Sequence, residues 1–599
     1  MRQIQAKQMI SKSARLISIT AHTTLSLVIL SATILAEAQR GESNPPRGAQ
    51  NEISPVRGIE QPPNRGENIP RIEASSQSQI FRSINGSNNN LLDPDIGAAN
   101  STLFRLLPSD YGDGLSTLAG SNRLSAREIS NALSAQTESV PNPMQATDFL
   151  WQWGQFLDHD IDLTDGADPA EPSPILVPLG DSFFDPSGSG DVEISFNRSI
   201  YAAELTGPRE QLEEITGWID ASNVYGSDIE RANALRTLAG DGKLKTSAGN
   251  LLPFNEQGFP NAGGDSANLF LAGDVRANEQ TGLTAMHTLF VREHNRLAEL
   301  VATNNQNWDG EQIYQKTRQL VGAEMQVITY QEFLPTLLGP RALGRYQGYR
   351  ENINASIANS FSTAAYRFGH SALSPTLLRL DANGQESIHG HLALRDAFFS
   401  SSNITEQGGI EPLLRGLASQ TCQAIDLKVI DDVRNFLFGA PGAGGFDLAA
   451  LNIQRGRDHG LPSYNDFRAA FGLAPHTEFA DISSNPETVD QLSSVYDSVD
   501  AIDLWVGGLA EEAISGSHLG ALFHAIVSDQ FEALRDGDRY WYTLTLNETE
   551  RQMVESLSLA DIIRLNSEIG NEIQDDVFHE ASLQQSPLLR APPRGPRPR

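Results

Sequence analysis

Four polar side chains recur at helical spacing within WQWGQFLDHDIDLT, residues 151–164: Gln152, Gln155, Asp158 and His159. Around them Phe149, Leu150, Trp153, Phe156, Leu157 and Ile161 repeat with the period of an amphipathic helix. A helix this apolar belongs in an interior, so its polar face should look into a cavity rather than into water. A carboxylate, an imidazole and an amide on such a face cost stability unless something uses them. The imidazole is the group suited to moving protons near neutral pH. Asp160 projects from the apolar side, where a carboxylate needs a cation. The local reading is a catalytic helix with a metal site on its back.

Four other stretches carry similar density. In TGWIDAS, residues 216–222, Thr216, Trp218, Asp220 and Ser222 alternate. An extended loop would point their hydroxyl, carbonyl, carboxylate and hydroxyl oxygens the same way, and with Asp160 they make an all-oxygen set suited to Ca²⁺. The same residues are also ordinary turn formers. In AGDVRANEQ, residues 272–280, Arg276 and Glu279 stand three apart and would share one side of a helical turn, or form a surface ion pair. In YRFGH, residues 366–370, His370 follows a glycine that allows close approach of a ligand. LNIQRGRDHGLPSYNDFR, residues 451–468, packs Asn452, Arg455, Arg457, Asp458 and His459 into a network that binds an anion or locks a core. His287 and His294 lie in the apolar stripe of a helix and read as packing residues, while His389 and His391 form a metal pair that nothing nearby supports.

The elements that must hold these residues are helices. Periodicity predicts them over Ala126–Ser134, Pro143–Ile161, Leu283–Val301, Gly310–Glu332, Ala449–Gln454 and Glu548–Leu565. Asn142 as N-cap, Pro143 at the first position and Gln145 in a capping-box spacing should open the second of them. Alternating strand patterns are few and short, Thr376–Leu380 being the best. With no internal repeat and no second linker, residues 76–580 are predicted to form one large, mainly α domain with few short strands.

The ends read differently. Arg2, Lys7, Lys12 and Arg15 precede an apolar run from Leu25 to Leu35, and Ala36-Glu37-Ala38 resembles a cleavage site, so residues 1–38 read as an export signal of a secreted protein. That run is short for a bilayer, and no later segment is apolar for long enough to cross one, so no stable membrane span is expected after cleavage. Residues 39–75 form a Pro/Gly-rich leader and 581–599 a basic Pro-rich tail, both too poor in large apolar residues to fold. The net charge of −31 over 599 residues argues against nucleic acid as a partner. Cys422 is the one cysteine, so burial, metal or cofactor must replace disulfides.

GQFLDHDIDLT, TGWIDASNVYGS, AGDVRANEQ, YRFGH and LNIQRGRDHGLPSY resemble, in this order, the motifs of the animal-type haem peroxidases, and FRSINGSNNN from Phe81 is similar to the family's entry to the domain. The resemblance covers residues 80–565 and implies the family's helical fold, with haem b and Ca²⁺. It implies that His159 is the distal histidine and Arg276 the distal arginine, with Gln155 beside them. By the same resemblance His370 is the iron ligand, Asn452 accepts its other N–H, and Arg367 and Arg455 lie near the propionates. Asp158 and Glu279 match the carboxylates that form ester links to haem in many members, and Asp160, Thr216, Trp218, Asp220 and Ser222 match the calcium site. Gln280 stands where some members bond haem through a methionine, so that third link should be missing. The lack of disulfides is consistent with a bacterial homologue.

The implied activity is reduction of hydrogen peroxide coupled to oxidation of halides, thiocyanate or small phenolic donors. Two alternatives are a fatty-acid dioxygenase of the same superfamily and an adhesion protein. The oxygenases place a radical-forming tyrosine three residues before the iron ligand. Here Arg367 holds that position, and Tyr366, four before, should face another way. No RGD occurs in the chain.

Overall fold

The computed structural model describes residues 81–581; the export signal and leader predicted for residues 1–75, and the predicted tail beyond residue 581, lie outside the described residues. Helix α1 (Ala126–Leu133) is capped by Ser125, whose side chain accepts from the backbone of Glu128. Helix α2 (Phe149–Ile161) begins at Phe149, not at Pro143 as predicted. Gln145 adopts a left-handed φ of 57°, and the backbone N–H groups of Thr147 and Asp148 donate to Phe578 and Gln420 at 2.9 and 2.8 Å. Those donors are committed to distant chain, so no helical turn can form there. Asn142 caps only a local turn, accepting from Met144 at 3.0 Å.

A short helix, α3 (Ser222–Tyr225), packs against α2. Helices α4 (Thr281–Asn304) and α5 (Gly310–Ile328) pack on each other, the second opened by a capping box of Asp309 and Gln312. The chain then makes a π turn, Thr329–Phe333, before a last α turn to Leu338. A 3₁₀ segment, Ala365–His370, carries the YRFGH residues. Helix α6 (Leu448–Asp458) extends past the predicted Gln454, so Asn452, Arg455, Arg457 and Asp458 share one element. After α7 (Ala521–Asp536), the predicted helix Glu548–Leu565 is two: α8 (Glu548–Ser556) and α9 (Leu559–Asn566). Ser558 breaks it, because its side chain caps a new first turn with Asp561 in a second capping box.

Sheet is confined, among the described residues, to three two-stranded antiparallel ladders. Their strands are β1 (Ser101–Thr102), β2 (Ile175–Leu176), β3 (Glu193–Ile194), β4 (Leu212–Glu213), β5 (Thr376–Leu377) and β6 (Leu392–Ala393), paired β1–β4, β2–β3 and β5–β6. The predicted strand Thr376–Leu380 thus survives as β5, with Thr376 opposite Ala393.

The apolar face of α2 lies in the core: Phe149, Leu150, Trp153, Phe156, Leu157 and Ile161 are fully buried. Trp153, Phe156 and Phe290 of α4 meet with ring centroids 5.0–5.8 Å apart. Each such side chain stabilises the fold by roughly 1.5–3 kcal/mol through burial, which fixes the pitch and rotation of α2. His287 and His294 are buried on α4, the first 5.0 Å from the Phe156 ring and the second bonded to the Tyr225 hydroxyl at 2.8 Å.

A second anchor is ionic. Arg127 of α1 is wholly buried; it donates to Asp181 at 2.8 and 3.1 Å and to Asp447 at 2.7 Å. Asp447 is also the N-cap of α6, accepting from Ala450 at 3.0 Å, so one guanidinium joins α1, the 181 loop and α6. Replacing Arg127 with Ala leaves two buried carboxylates without a cation. Urea unfolding of the variant should show a loss of about 3–5 kcal/mol; a loss below about 1 kcal/mol, the scale of an exposed pair, would show that water reaches the site.

Candidate active site

The polar face of α2 opens onto a cavity of about 400 Å³. Gln155, Asp158 and His159 line it from α2, Arg276, Glu279 and Gln280 from the 272–280 loop, Arg367 and His370 from the 3₁₀ segment, and Arg455 from α6. Residues from four separate stretches of sequence therefore meet around one space. Phe398, Leu437, Phe438 and Leu451 supply apolar wall between them. A wider groove of about 1330 Å³ near Lys243 and Arg292 holds none of these residues, and two of its cations are paired, Lys243 with Glu299 and Arg292 with Glu411.

His159 is 2% exposed. Burial, and then the neighbouring Arg276 cation, holds it well below the ordinary imidazole value, so it is a neutral base. Its Nδ1 accepts no hydrogen bond and lies 3.4 Å from an oxygen of Asp274. Arg276 grips Asp274 with two nitrogens, each at 2.9 Å, donates to the Asp162 carbonyl at 2.8 Å, and reaches Asp158 at 3.4 Å. Burial works against the Arg276 charge, but Asp274 outweighs it and raises the pKa. Burial likewise works against ionised Asp274, and Arg276 overrides it and holds that carboxyl low. The two are locked as an ion pair.

Arg276 and Glu279 lie on a single turn, closed by the Glu279 N–H donating to the Arg276 carbonyl at 2.8 Å, and not on a surface. Gly273 seats this loop. A Cβ there would fall 2.3 Å from the Ser222 carbonyl oxygen and 2.5 Å from the Tyr225 nitrogen, so no larger residue lets the loop lie against α3. Gln280 donates to Gln152 at 2.7 Å and to Gln155 at 3.1 Å, tying the loop to α2. Gln155 in turn donates to Glu279 at 3.3 Å. Burial pushes Glu279 up to about 7 and also raises Asp158, the latter helped by Asp162. Asp158 is 29% exposed, and the exposure is to the cavity.

On the 3₁₀ segment, burial and then Arg367 press His370 down to about 3, so its ring is neutral and available as a ligand. The expected contact with Asn452 is present at 2.8 Å, but in the opposite sense: the amide nitrogen faces His370 Nδ1, while the amide oxygen accepts from Arg367 at 3.3 Å. Among the described residues the Arg367 guanidinium otherwise donates to the Ser362 carbonyl, at 2.9 Å, and burial lowers its pKa in spite of Asp162 and Asp158. Burial lowers Arg455 to about 10 in spite of Asp458. Tyr366 departs from expectation as well. It lines the same cavity as Arg367 and His370, and its buried hydroxyl has no hydrogen-bond partner among the described residues.

Behind α2, Asp160 is completely buried and accepts from the backbone of Asp220 and Ala221, each at 3.1 Å. Thr216 donates to Asp220 at 3.0 Å, and Ser222 to the Asp160 carbonyl at 2.9 Å. The segment is not the extended loop expected: Ala221 turns at φ 64° and Ser222 starts α3. Thr216, Asp220 and Ser222 still gather about Asp160, while the Trp218 indole lies against Gly97. The Asp220 Oδ2 atom is buried without a hydrogen bond, with Arg318 3.7 Å away. No group of three His, Cys, Asp or Glu side chains suited to a metal occurs among the described residues, and the His389/His391 pair gains no third ligand; His391 Nδ1 accepts from the Arg379 backbone at 3.2 Å.

Asp274 is the site residue that sequence reasoning passed over. Its signal was a carboxylate two positions before an arginine, in a loop that no helical period marks.

The model of the animal haem peroxidase family matches residues 81–578. The human peroxidasin homolog is 40% identical over 573 residues; the match takes in 84% of this chain and 38% of that protein, so the chain spans well under half the length of that relative. Among solved structures, Peroxidase A from Dictyostelium discoideum superposes with a TM-score of 0.78 at 35% identity, over 84% of this chain and 100% of the other. A fatty acid alpha-dioxygenase from Arabidopsis thaliana has a TM-score of 0.72 at 21% identity, with 87% of each chain covered, a likeness of fold alone.

Proposed function

Because the chain belongs to the animal haem peroxidase family, we propose that it is a haem-dependent peroxidase that reduces hydrogen peroxide and oxidises halides, thiocyanate or small phenolic donors. The observation that carries this reading is a neutral His159 beside an ion-paired Arg276 on the wall of the cavity that also holds His370.

The residues suit haem. Arg367 is a cation with no carboxylate bonded to it, and with Arg455 it would hold the propionates. A propionate on Arg367 would release the Asn452 oxygen to accept from His370 Nδ1–H, leaving Nε2 to bind iron. When bound, haem supplies the redox chemistry that splits the O–O bond. His159 takes a proton from one peroxide oxygen and returns it to the other, which leaves as water. Arg276 stabilises the negative charge that develops on the leaving oxygen, and Asp274 fixes its position. Gln155, held by Gln280, orients peroxide beside His159.

Asp158 and Glu279 are the candidates for ester links, since both face the cavity and both lean toward the neutral acid. Calcium would bind Asp160, Thr216, the Trp218 carbonyl, Asp220 and Ser222. The support is two buried carboxyls, one of them with an orphaned oxygen, among hydroxyls. The Arg318 cation offsets only part of that charge.

Three outcomes are expected. His159→Ala should slow peroxide cleavage about 10²–10⁴-fold while the visible spectrum shows haem retained; stopped-flow rates equal to those of the unmutated protein would remove His159 from the reaction. After peroxide turnover, haem should resist acid and organic extraction, with retention falling stepwise in Asp158→Ala and Glu279→Ala; quantitative release from the unmutated protein would eliminate the esters. For calcium the sign follows from Asp160. Burial, then Asp220, raises its folded pKa above 3.8, so without metal its contribution to stability is complete at low pH and is lost as pH rises toward the folded value. Calcium pairs the ionised form, so its stabilisation of the protein, read as a shift in Tm, should grow as pH rises above about 4 and vanish in Asp160→Asn; a shift independent of pH would place calcium elsewhere.

A further inference from the structure

Tyr366 meets the cavity with a phenol that has no hydrogen-bond partner among the described residues, and a line of aromatic rings leads away from it. Its ring lies 5.7 Å from that of Phe531, and Phe531 lies 6.1 Å from Tyr330, in the π turn. Tyr330 meets Trp541 edge-on at 4.9 Å, and Trp541 lies 5.1 Å from Tyr542. No two consecutive oxidisable side chains in this line are separated by more than one intervening ring. The Tyr330 hydroxyl is held on the Phe531 carbonyl at 2.6 Å, which cannot take its proton, so Tyr330 relays charge without storing it. Tyr542 differs. Its hydroxyl donates to a carboxylate oxygen of the half-buried Glu555 at 3.1 Å, and the residue, 8% exposed, lines a small hollow of about 30 Å³ with Tyr540 and Thr545.

We propose that Tyr366, Tyr330, Trp541 and Tyr542 conduct an oxidising equivalent from the cavity wall to Glu555, giving the protein a second oxidation site for phenolic groups too large to enter the cavity. The inference rests on the peroxidase reading, which supplies the oxidant. One electron leaves Tyr542 and passes through Trp541, Tyr330 and Tyr366 to the peroxide-oxidised cofactor, which is reduced by one equivalent. The phenolic proton of Tyr542 moves to Glu555, leaving a neutral tyrosyl radical. A phenol outside then gives one electron to that radical and its proton to water, while Glu555 returns the proton to Tyr542. The hole settles at Tyr542 because, of the four, it is the one bonded to a carboxylate. Core packing alone would account for the rings, but not for an unpartnered phenol at one end and a phenol–carboxylate pair at the other.

The test uses the haem-loaded full chain with hydrogen peroxide and two donors, a free phenol and the same phenol coupled to dextran. Freeze-quenched protein should show a tyrosyl radical signal that is lost in Tyr542→Phe, a variant lacking a single oxygen atom. In Tyr542→Phe and Trp541→Phe, dextran–phenol oxidation should fall at least about tenfold, while free-phenol turnover changes less than about twofold. Dextran–phenol rates that hold in both folded variants, or that fall only in step with the free phenol, overturn the route. A chain that turns over neither donor before mutation overturns the peroxidase reading, and this one with it; turnover of the free phenol alone overturns only this one.

Discussion

A buried guanidinium needs a counter-charge, and Arg276 has it in Asp274 at two contacts of 2.9 Å. The candidate site depends on that pairing. Asp274 also lies 3.4 Å from His159, where an unpaired carboxylate would draw a proton onto the imidazole. With Asp274 engaged by Arg276, burial and the arginine's own charge keep His159 neutral. The pair thus lets a base and a cation coexist in one buried site. Asp158 and Glu279, close to the same cation, still lean toward the neutral acid because burial outweighs its pull.

Much of this was legible in the sequence, for identifiable reasons. The period of Phe149 to Ile161 placed Asp158 and His159 on one face of α2 and Asp160 on the other, because helical geometry converts spacing into direction. The mainly α architecture followed from the same periodicity. Where the reading failed, non-local contacts decided. Thr147 and Asp148 give their N–H groups to Phe578 and Gln420, partners more than 200 residues away, so a sound local cap at Asn142 opened no helix. Asp274 sits in a loop that no helical period marks, and Tyr366 reaches the cavity because several elements enclose that space together, which spacing along one segment does not show.

Helix α2 ties two proposed sites together through a single peptide bond. His159 faces the cavity while Asp160 faces the oxygen cluster, and Asp160 takes backbone donors from Asp220 and Ala221. The segment carrying those donors runs into α3, against which Gly273 seats the loop of Asp274 and Arg276. Both the base and the cation are therefore braced against the same short helix. An ion held among Asp160, Asp220 and Ser222 would stiffen that brace without touching the reacting atoms.

The π turn at Thr329–Phe333 has a consequence for how this chain tolerates length change. A π turn accommodates one residue beyond the α repeat, and each residue added to or removed from a helix rotates everything after it by about 100°. The turn therefore acts as a phase adjuster. It lets α5 keep Tyr314 and Met325 in the core upstream while presenting Phe333, Leu334 and Leu337 to the core downstream. An ordinary surface loop absorbs insertions and deletions silently, but here a one-residue deletion would be a rotation, swinging Leu334 to Leu338 off their contacts. This piece of the chain should keep its length through sequence divergence even where its side chains drift.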